Sequence, residues 1–250
     1  SFYNYVCKYY LEGFGLNYDN ALLINSDNIP LFESKDRKTV FPDNVVDLTL
    51  RFRDAENDHE KVQQESIFLI DQWCADYEDK IRSMGGIGFF LGGIGPDGHI
   101  AFNVRGSDHN STTRLTTTNF ETQAAAATDL GGIEISRNRL VITIGLGTIT
   151  HNPEATGIII AAGEAKAKII KKSLENEPDV KYPATALSRI KNSCFYITKG
   201  ASKALTDSEN DYWINGIWDD QKLQRSVLEL SKKINVFGKK LELEDLQKDI

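Results

Sequence analysis

The sequence predicts an α/β protein of three layers, with a mostly parallel sheet between helices. Short apolar runs of strand length alternate with segments of helical periodicity, and several runs break into glycine-containing turns. The four runs span residues 87–91, 139–144, 157–162 and 195–198. Strands that alternate with helices at this spacing imply a parallel sheet covered on both faces.

Length and composition indicate one large domain with an appendage. The chain has 250 residues, of which 40% are hydrophobic and 26% are charged, enough for a substantial core. We expect residues 1–205 to form an α/β domain with an insertion at about 25–65. Beyond residue 206 the sequence becomes charged and helix-like, so residues 206–250 are expected to form a helical appendage.

Charge and hydropathy argue against two classes of partner. A net charge of −7 and a sequence pI near 5.2 disfavour an electrostatic grip on nucleic acid. No apolar run has the roughly 18 residues that a membrane span needs. The first residues lack a signal peptide's basic start and apolar stretch, and the three scattered cysteines lack metal-ligand spacing. We therefore expect a cytoplasmic protein without a metal site.

Periodicity predicts the remaining elements. A strand is expected at 21–24, and the alternating run 45–52 predicts a half-buried strand, which together indicate an inserted hairpin. Apolar residues recur at helical spacing over residues 1–14 and 65–84, and residues 120–128 and 164–173 are rich in helix formers. We expect a helix in each of these four segments.

The best candidate site is the loop that follows the first apolar run. Residues 92–103 read Gly-Gly-Ile-Gly-Pro-Asp-Gly-His-Ile-Ala-Phe-Asn. Ligands of open α/β sheets bind outside the carboxyl ends of the strands, where this loop is expected to lie. His99 can transfer protons near neutral pH, and Asp97 can fix its tautomer and stabilise its charged form.

Residues 91–103 resemble the signature of the glucosamine-6-phosphate deaminase/isomerase family. The sister 6-phosphogluconolactonases share the Asp-Gly-His core but typically continue Thr-Ala-Ser-Leu-Phe-Pro, so Ile-Ala-Phe-Asn favours the deaminase branch. The resemblance covers residues 1–205 and is strongest over 77–172. It implies the fold of this superfamily and conversion of an amino sugar phosphate to a ketose phosphate plus ammonia, without a cofactor.

The resemblance also implies the roles of individual residues. His99 would open the sugar ring with support from Asp97, and Gly92 and Gly93 would belong to the substrate-binding loop. The lysine that matches Lys166 contacts the sugar phosphate in the family. The arginine that matches Arg114 lies in a loop that binds phosphate-bearing ligands.

The basic residues also have structural interpretations that stay open. Lys166 follows Gly163 at a strand-to-helix junction, where backbone N–H groups favour anions, which favours phosphate binding; the alternative is one of several solvent-facing lysines. Arg114 could form a structural salt bridge. The pair Asp108 and His109 lies in a polar run and is interpreted as a solvated loop.

Two departures from the family pattern leave the activity open. The pattern continues Asn-Glu-Pro, whereas Asn103 is followed here by Val104 and Arg105. The family's Asp-Glu-Tyr motif, which supplies the proton-abstracting base from an N-terminal section, is not found, so we expect the chain to be the later part of a family member. A weakened or substrate-specific enzyme, a non-catalytic sugar-phosphate-binding or regulatory domain, and a 6-phosphogluconolactonase-type hydrolase remain alternatives. A homo-oligomer also remains open.

Overall fold

The computed structural model describes residues 2–42, 45–117, 141–206, 214 and 217–233. The chain divides into two compact units, Ser1–Ala204 and Leu205–Ile250. The helix expected at 120–128 lies outside the described residues. Among those that are described, no helix combines the length and the hydropathy needed to cross a bilayer.

The described residues of the first unit form the following helices and short strands. The α-helices are α1 (Phe2–Val6), α2 (Arg37–Val40), α3 (Asp58–Ser83), α4 (Leu146–Ile149), α5 (Ala167–Glu175) and α6 (Lys199–Ser202). A π-helix spans Cys7–Glu12, and 3₁₀ helices span Tyr18–Asn20, Phe32–Ser34, Leu48–Arg51, Glu164–Lys166 and Pro183–Arg189. The strands are β1 (Phe89–Gly93), β2 (Arg114–Thr116), β3 (Val141–Thr143), β4 (Thr156–Ala161) and β5 (Asn192–Ile197).

Three of these strands form the expected parallel sheet, in the order β1-β4-β5. The α/β class with a parallel sheet is therefore confirmed. The register pairs Gly93 with Ile160, so the carboxyl ends of β1 and β4 lie side by side. One face of β4 is buried through Ile159 and Ala161. On the other face, large apolar side chains are half exposed or more: Phe89, Leu91, Ile160 and Tyr196.

The apolar run at 139–144 does not join this sheet. Its described part forms β3, which pairs antiparallel with β2 in a separate two-stranded sheet. A short apolar run carries no information about which partner it pairs with, so the expected parallel pairing of this run is wrong.

Helix α3 begins earlier than its apolar period suggested, because Asn57 caps it by accepting the backbone N–H of Glu60. Its apolar face joins the core of the unit. That buried cluster contains Val40, Phe41, Leu50, Ile67, Ile70, Cys74 and Leu115.

The inserted hairpin is not formed. Residues 21–24 are not in a strand, and within the run 45–52 the segment Leu48–Arg51 is a 3₁₀ helix. The side chain of Asp47 accepts the backbone N–H of Thr49 and so starts a turn rather than a strand. The turn places Leu50, which is 1% exposed, in the core. An apolar residue of the alternating pattern is therefore buried without forming a sheet.

The expected helix over 1–14 is present as α1 followed by the π-helix, with Gly13 as its cap. In the second unit, α7 spans Asp220–Lys233. The ammonium group of Lys222 lies 4.5 Å from the ring centroid of Trp218, within cation–π distance.

Candidate functional site

The candidate site is the loop that leaves the end of β1. Gly95 donates its backbone N–H to the carbonyl of His99 at 2.9 Å, and Gly98 donates to the carbonyl of Gly95 at 3.1 Å. Gly98 has a φ of 86°, which favours glycine, and a Cβ there would press on Ile169. The carbonyl of Gly98 accepts from Ala184 at 2.9 Å. The loop is therefore a tight turn fixed to the elements beside it.

This turn brings Asp97 and His99 together as the sequence predicted. The Oδ1 atom of Asp97 lies 2.6 Å from Nδ1 of His99, and their side chains are only 9% and 15% exposed. An ionised carboxylate only accepts hydrogen bonds, so this contact assigns the proton to Nδ1. Proton exchange with a ligand then falls to Nε2.

The second oxygen of this carboxylate also has a partner. The backbone N–H of Arg105 donates to Oδ2 of Asp97 at 3.1 Å. The backbone N–H of His99 also donates to Oδ1, at 3.4 Å, so Asp97 is held at both oxygens.

Close packing at Gly95 fixes the imidazole from one side. Gly95 is buried, and a Cβ atom built on it would overlap Cε1, Nδ1 and Nε2 of His99. The imidazole therefore rests directly against the backbone at this residue. Gly92 and Gly93 are the last residues of β1, immediately before the loop. They connect strand β1 to the candidate site loop.

Lys166 reaches the same loop from the neighbouring strand. It is the last residue of the 3₁₀ helix that follows β4, and its Nζ donates to the carbonyl of Ile94 at 2.8 Å. Burial lowers the pKa of Lys166, and the negative charge of Asp97 opposes this shift. Lys166 is therefore directed at the site and is not one of the solvent-facing lysines.

Arg114 contacts the end of the loop and is held by uncharged oxygens. Its Nη1 donates to Oδ1 of Asn103 at 2.8 Å, and its Nη2 donates to Oγ of Ser107 at 3.2 Å. Burial, followed by the positive charge of Arg51, lowers the pKa of Arg114. These contacts link Arg114 to the end of the signature loop.

Asn103 is a structural member of the site to which sequence reasoning assigned no role. It is fully buried, and its Nδ2 donates to the carbonyls of Ile100 and Ile144 at 3.0 and 2.8 Å. It therefore fastens the loop to the end of β3 while it binds Arg114. Its place inside the motif was the available signal, but its partners are distant in sequence.

Glu78 on α3 is a second residue that sequence reasoning missed. Its carboxylate is 5% exposed and accepts from the backbone and hydroxyl of Thr113 and from the hydroxyl of Thr148. It also pairs with Arg82 at 3.0 Å. The signal was its position four residues after Cys74, which places a carboxylate on the buried face of the helix.

The interpretation of His109 as part of a solvated loop is wrong. His109 is 6% exposed, and its buried Nε2 has no hydrogen-bond partner among the described residues. Its carbonyl accepts a hydrogen bond from Nη1 of Arg189 at 3.1 Å, and this contact draws the loop inward. The two residues are 80 positions apart in the sequence. Burial, and then the charge of Arg189, lowers the pKa of His109.

Comparisons with known proteins agree with the motif. No protein-family profile matches the chain. The glucosamine-6-phosphate deaminase of Borreliella burgdorferi is 37% identical over 140 residues, covering 56% of this chain and 52% of the relative. The glucosamine-6-phosphate isomerase of Candida albicans is 39% identical over 119 residues, covering 47% and 48%. The chain thus spans about half the length of the curated relatives that it matches.

A solved structure gives the same result. A monomeric glucosamine-6-phosphate deaminase aligns with a TM-score of 0.50 and 30% identity, covering 54% of this chain and 55% of the other. Over about half of its length the chain is therefore homologous to glucosamine-6-phosphate deaminases, and it has an α/β fold of that kind.

Proposed function

We propose that this chain acts on an amino sugar 6-phosphate as a glucosamine-6-phosphate deaminase/isomerase does. The observation that carries the proposal is the 2.6 Å contact between Asp97 and His99, in a loop that Lys166 also reaches. The similar proteins that match the chain bear deaminase and isomerase names. A proton-transfer pair beside a lysine suits a substrate that carries both a hemiacetal ring and a phosphate.

In the proposed reaction the sugar ring opens first. The Nε2 atom of His99 takes the proton of the anomeric hydroxyl and returns one to the ring oxygen, while Asp97 stabilises the charged imidazolium. A proton then moves from C2 to C1, which leaves an imine at C2. Water adds to this imine and the C2–N bond breaks, giving a ketose 6-phosphate and ammonia. Among the described residues we assign no base to the step at C2.

Lys166 is proposed to bind the phosphate. Its ammonium carries three donors, of which one is used by the carbonyl of Ile94. A phosphate dianion would stabilise the charged form against the burial that lowers the pKa of Lys166. Loss of this charge should weaken phosphate binding by about 10- to 100-fold, the typical range for a hydrogen bond to a charged group.

The second candidate function is sugar-phosphate binding without turnover. It is favoured by Val104, which stands where the family pattern has a glutamate and can neither orient the imidazole nor carry charge. Both candidates use the same loop and the same lysine. They differ only in whether ammonia is released.

The deciding experiment measures ammonium and fructose 6-phosphate formed from glucosamine 6-phosphate, with calorimetric binding in parallel. We expect His99→Ala to lower turnover by about 10²- to 10⁴-fold, and the exposed-site control His59→Ala to leave it unchanged. Lys166→Gln should weaken binding, whereas Lys168→Gln, two residues along and exposed, should not.

Binding without ammonium would select the second candidate. The absence of both binding and turnover would refute both candidates. Hydrolysis of 6-phosphogluconolactone without ammonium would assign the chain to the hydrolase alternative.

A further inference from the structure

The carboxylate of Asp97 is held at both of its oxygens. Its Oδ1 meets the imidazole of His99 at 2.6 Å and accepts the backbone N–H of His99 at 3.4 Å, and its Oδ2 accepts the backbone N–H of Arg105 at 3.1 Å. A carboxylate bound only at one oxygen can rotate about its side-chain torsions. The second bond restricts that rotation, so the Arg105 amide bears on the angle at which Asp97 meets His99.

The amide is aimed at Asp97 by a tight turn. Ser107 donates its N–H to the carbonyl of Val104 at 2.9 Å, which closes a turn with Arg105 and Gly106 at its centre. Gly106 has a φ of 89°, and the φ of Arg105 is not positive, which together define a type II turn. Gly106 also donates to the carbonyl of Val180 at 2.8 Å. The turn is therefore fastened to a separate segment, and the direction of the Arg105 N–H is fixed.

We propose that the backbone amide of Arg105 is a positioning group for the Asp97–His99 pair. It lets the pair keep its orientation although Val104 supplies no carboxylate. The bond joins two groups that are eight residues apart in the sequence. Its catalytic consequence rests on the proposed function, whereas its effect on the imidazole does not.

The test compares Arg105→Pro with Arg105→Ala. Both variants lose the exposed arginine side chain, and they differ in the amide hydrogen. Proline is favoured at the first central position of a type II turn, so the turn itself should persist. Proline also puts its Cδ where the amide hydrogen pointed, so Asp97 must give up this contact, and the comparison tests the contact between residue 105 and Asp97 as a whole.

The first readout is the exchange of the His99 Nδ1 proton with water, followed by NMR. We expect exchange about tenfold faster in Arg105→Pro than in Arg105→Ala, because a hydrogen bond to a charged group typically contributes at least this factor. The second readout is kinetic: kcat for glucosamine 6-phosphate should fall about tenfold while KM stays the same, as for a group that acts on proton transfer and not on binding. Equal exchange rates and equal kcat in the two variants would overturn the proposal.

The two proposals can fail separately. If the parent chain releases no ammonium, the proposed deaminase function fails, and proton exchange alone decides the role of Arg105. If Arg105→Pro does not fold, as judged by circular dichroism, the parent chain provides the answer. The amide proton of Arg105 should then shift with the same midpoint as the carboxyl carbon of Asp97 in an acid titration, and an amide that does not respond would refute the bond.

Discussion

Replacing Gly95 with alanine is the sharpest test of how the imidazole is held. A Cβ atom on Gly95 would occupy the space of the His99 ring. The φ of Gly95 lies outside the left-handed region, so alanine is allowed by the backbone. The backbone can stay as it is, and the imidazole must move. Its bond to Asp97 is then lost.

The size of the effect follows from that bond. It joins two side chains that are 9% and 15% exposed, at 2.6 Å, so solvent screens it little. A charge-assisted hydrogen bond of this kind contributes about 1.5–3 kcal/mol. The free energy of unfolding should fall by about that amount. Turnover should fall by about 10²- to 10⁴-fold, by analogy with the loss of the orienting carboxylate in a catalytic triad.

The assay is urea unfolding at pH 7 together with NMR detection of the Nδ1 proton of His99. Gly88→Ala is the matched control, because a Cβ on Gly88 meets no atom within 4 Å and its φ is also outside the left-handed region. We expect the control to unfold within about 1 kcal/mol of the parent chain. If Gly95→Ala matched the control in stability and kept the Nδ1 signal, the packing argument for His99 would be wrong.

Three further predictions concern buried groups. Burial raises the pKa of Glu78, but its hydrogen bonds lower the pKa by more, so the net shift is downward and the stability that Glu78 contributes is present above pH 4.5 and lost in acid. Glu78→Gln should therefore lower the free energy of unfolding at pH 7 by about 1–3 kcal/mol and make it less dependent on pH in the acid range. Burial and the charge of Arg189 lower the pKa of His109, so the free energy of unfolding of the parent chain should decrease as the pH falls below 6.5. In His109→Leu, the free energy of unfolding measured between pH 7 and 5 should not show that decrease. Ile159→Ala should cost about 2–5 kcal/mol in urea unfolding, whereas Ile160→Ala, at a side chain that is 56% exposed, should cost less than half as much.

The parts of the fold that could be predicted from sequence are those set by local pattern. The long helix α3 and the strands β1, β4 and β5 follow from periodicity and from apolar runs. Asp97 and His99 are two residues apart, so a tight turn alone brings them together. Lys166 is predicted only to lie at a strand-to-helix junction, and the pairing of β1 with β4 brings that junction to the loop.

The features that could not be predicted depend on contacts distant in sequence. The polar run around His109 is drawn inward by Arg189, and nothing in the local pattern signals that pairing. Alternation over 45–52 is compatible with a strand, but Asp47 starts a turn that buries Leu50 in another way. The same limit applies to Asn103, whose amide binds a carbonyl 41 residues later.

The consequence of Val104 can be separated into geometry and charge. The pair Asp97 and His99 is held by the packing of Gly95, by the amide of Arg105 and by the turn itself, and none of these needs a side chain at residue 104. The missing glutamate therefore does not disassemble the pair. What the chain lacks at this position is a second negative charge to stabilise the imidazolium. Val104→Glu should consequently add that charge without changing the contact between His99 and Asp97, so the NMR signal of the His99 Nδ1 proton should be retained. A variant that lost the signal would show that geometry and charge are not independent.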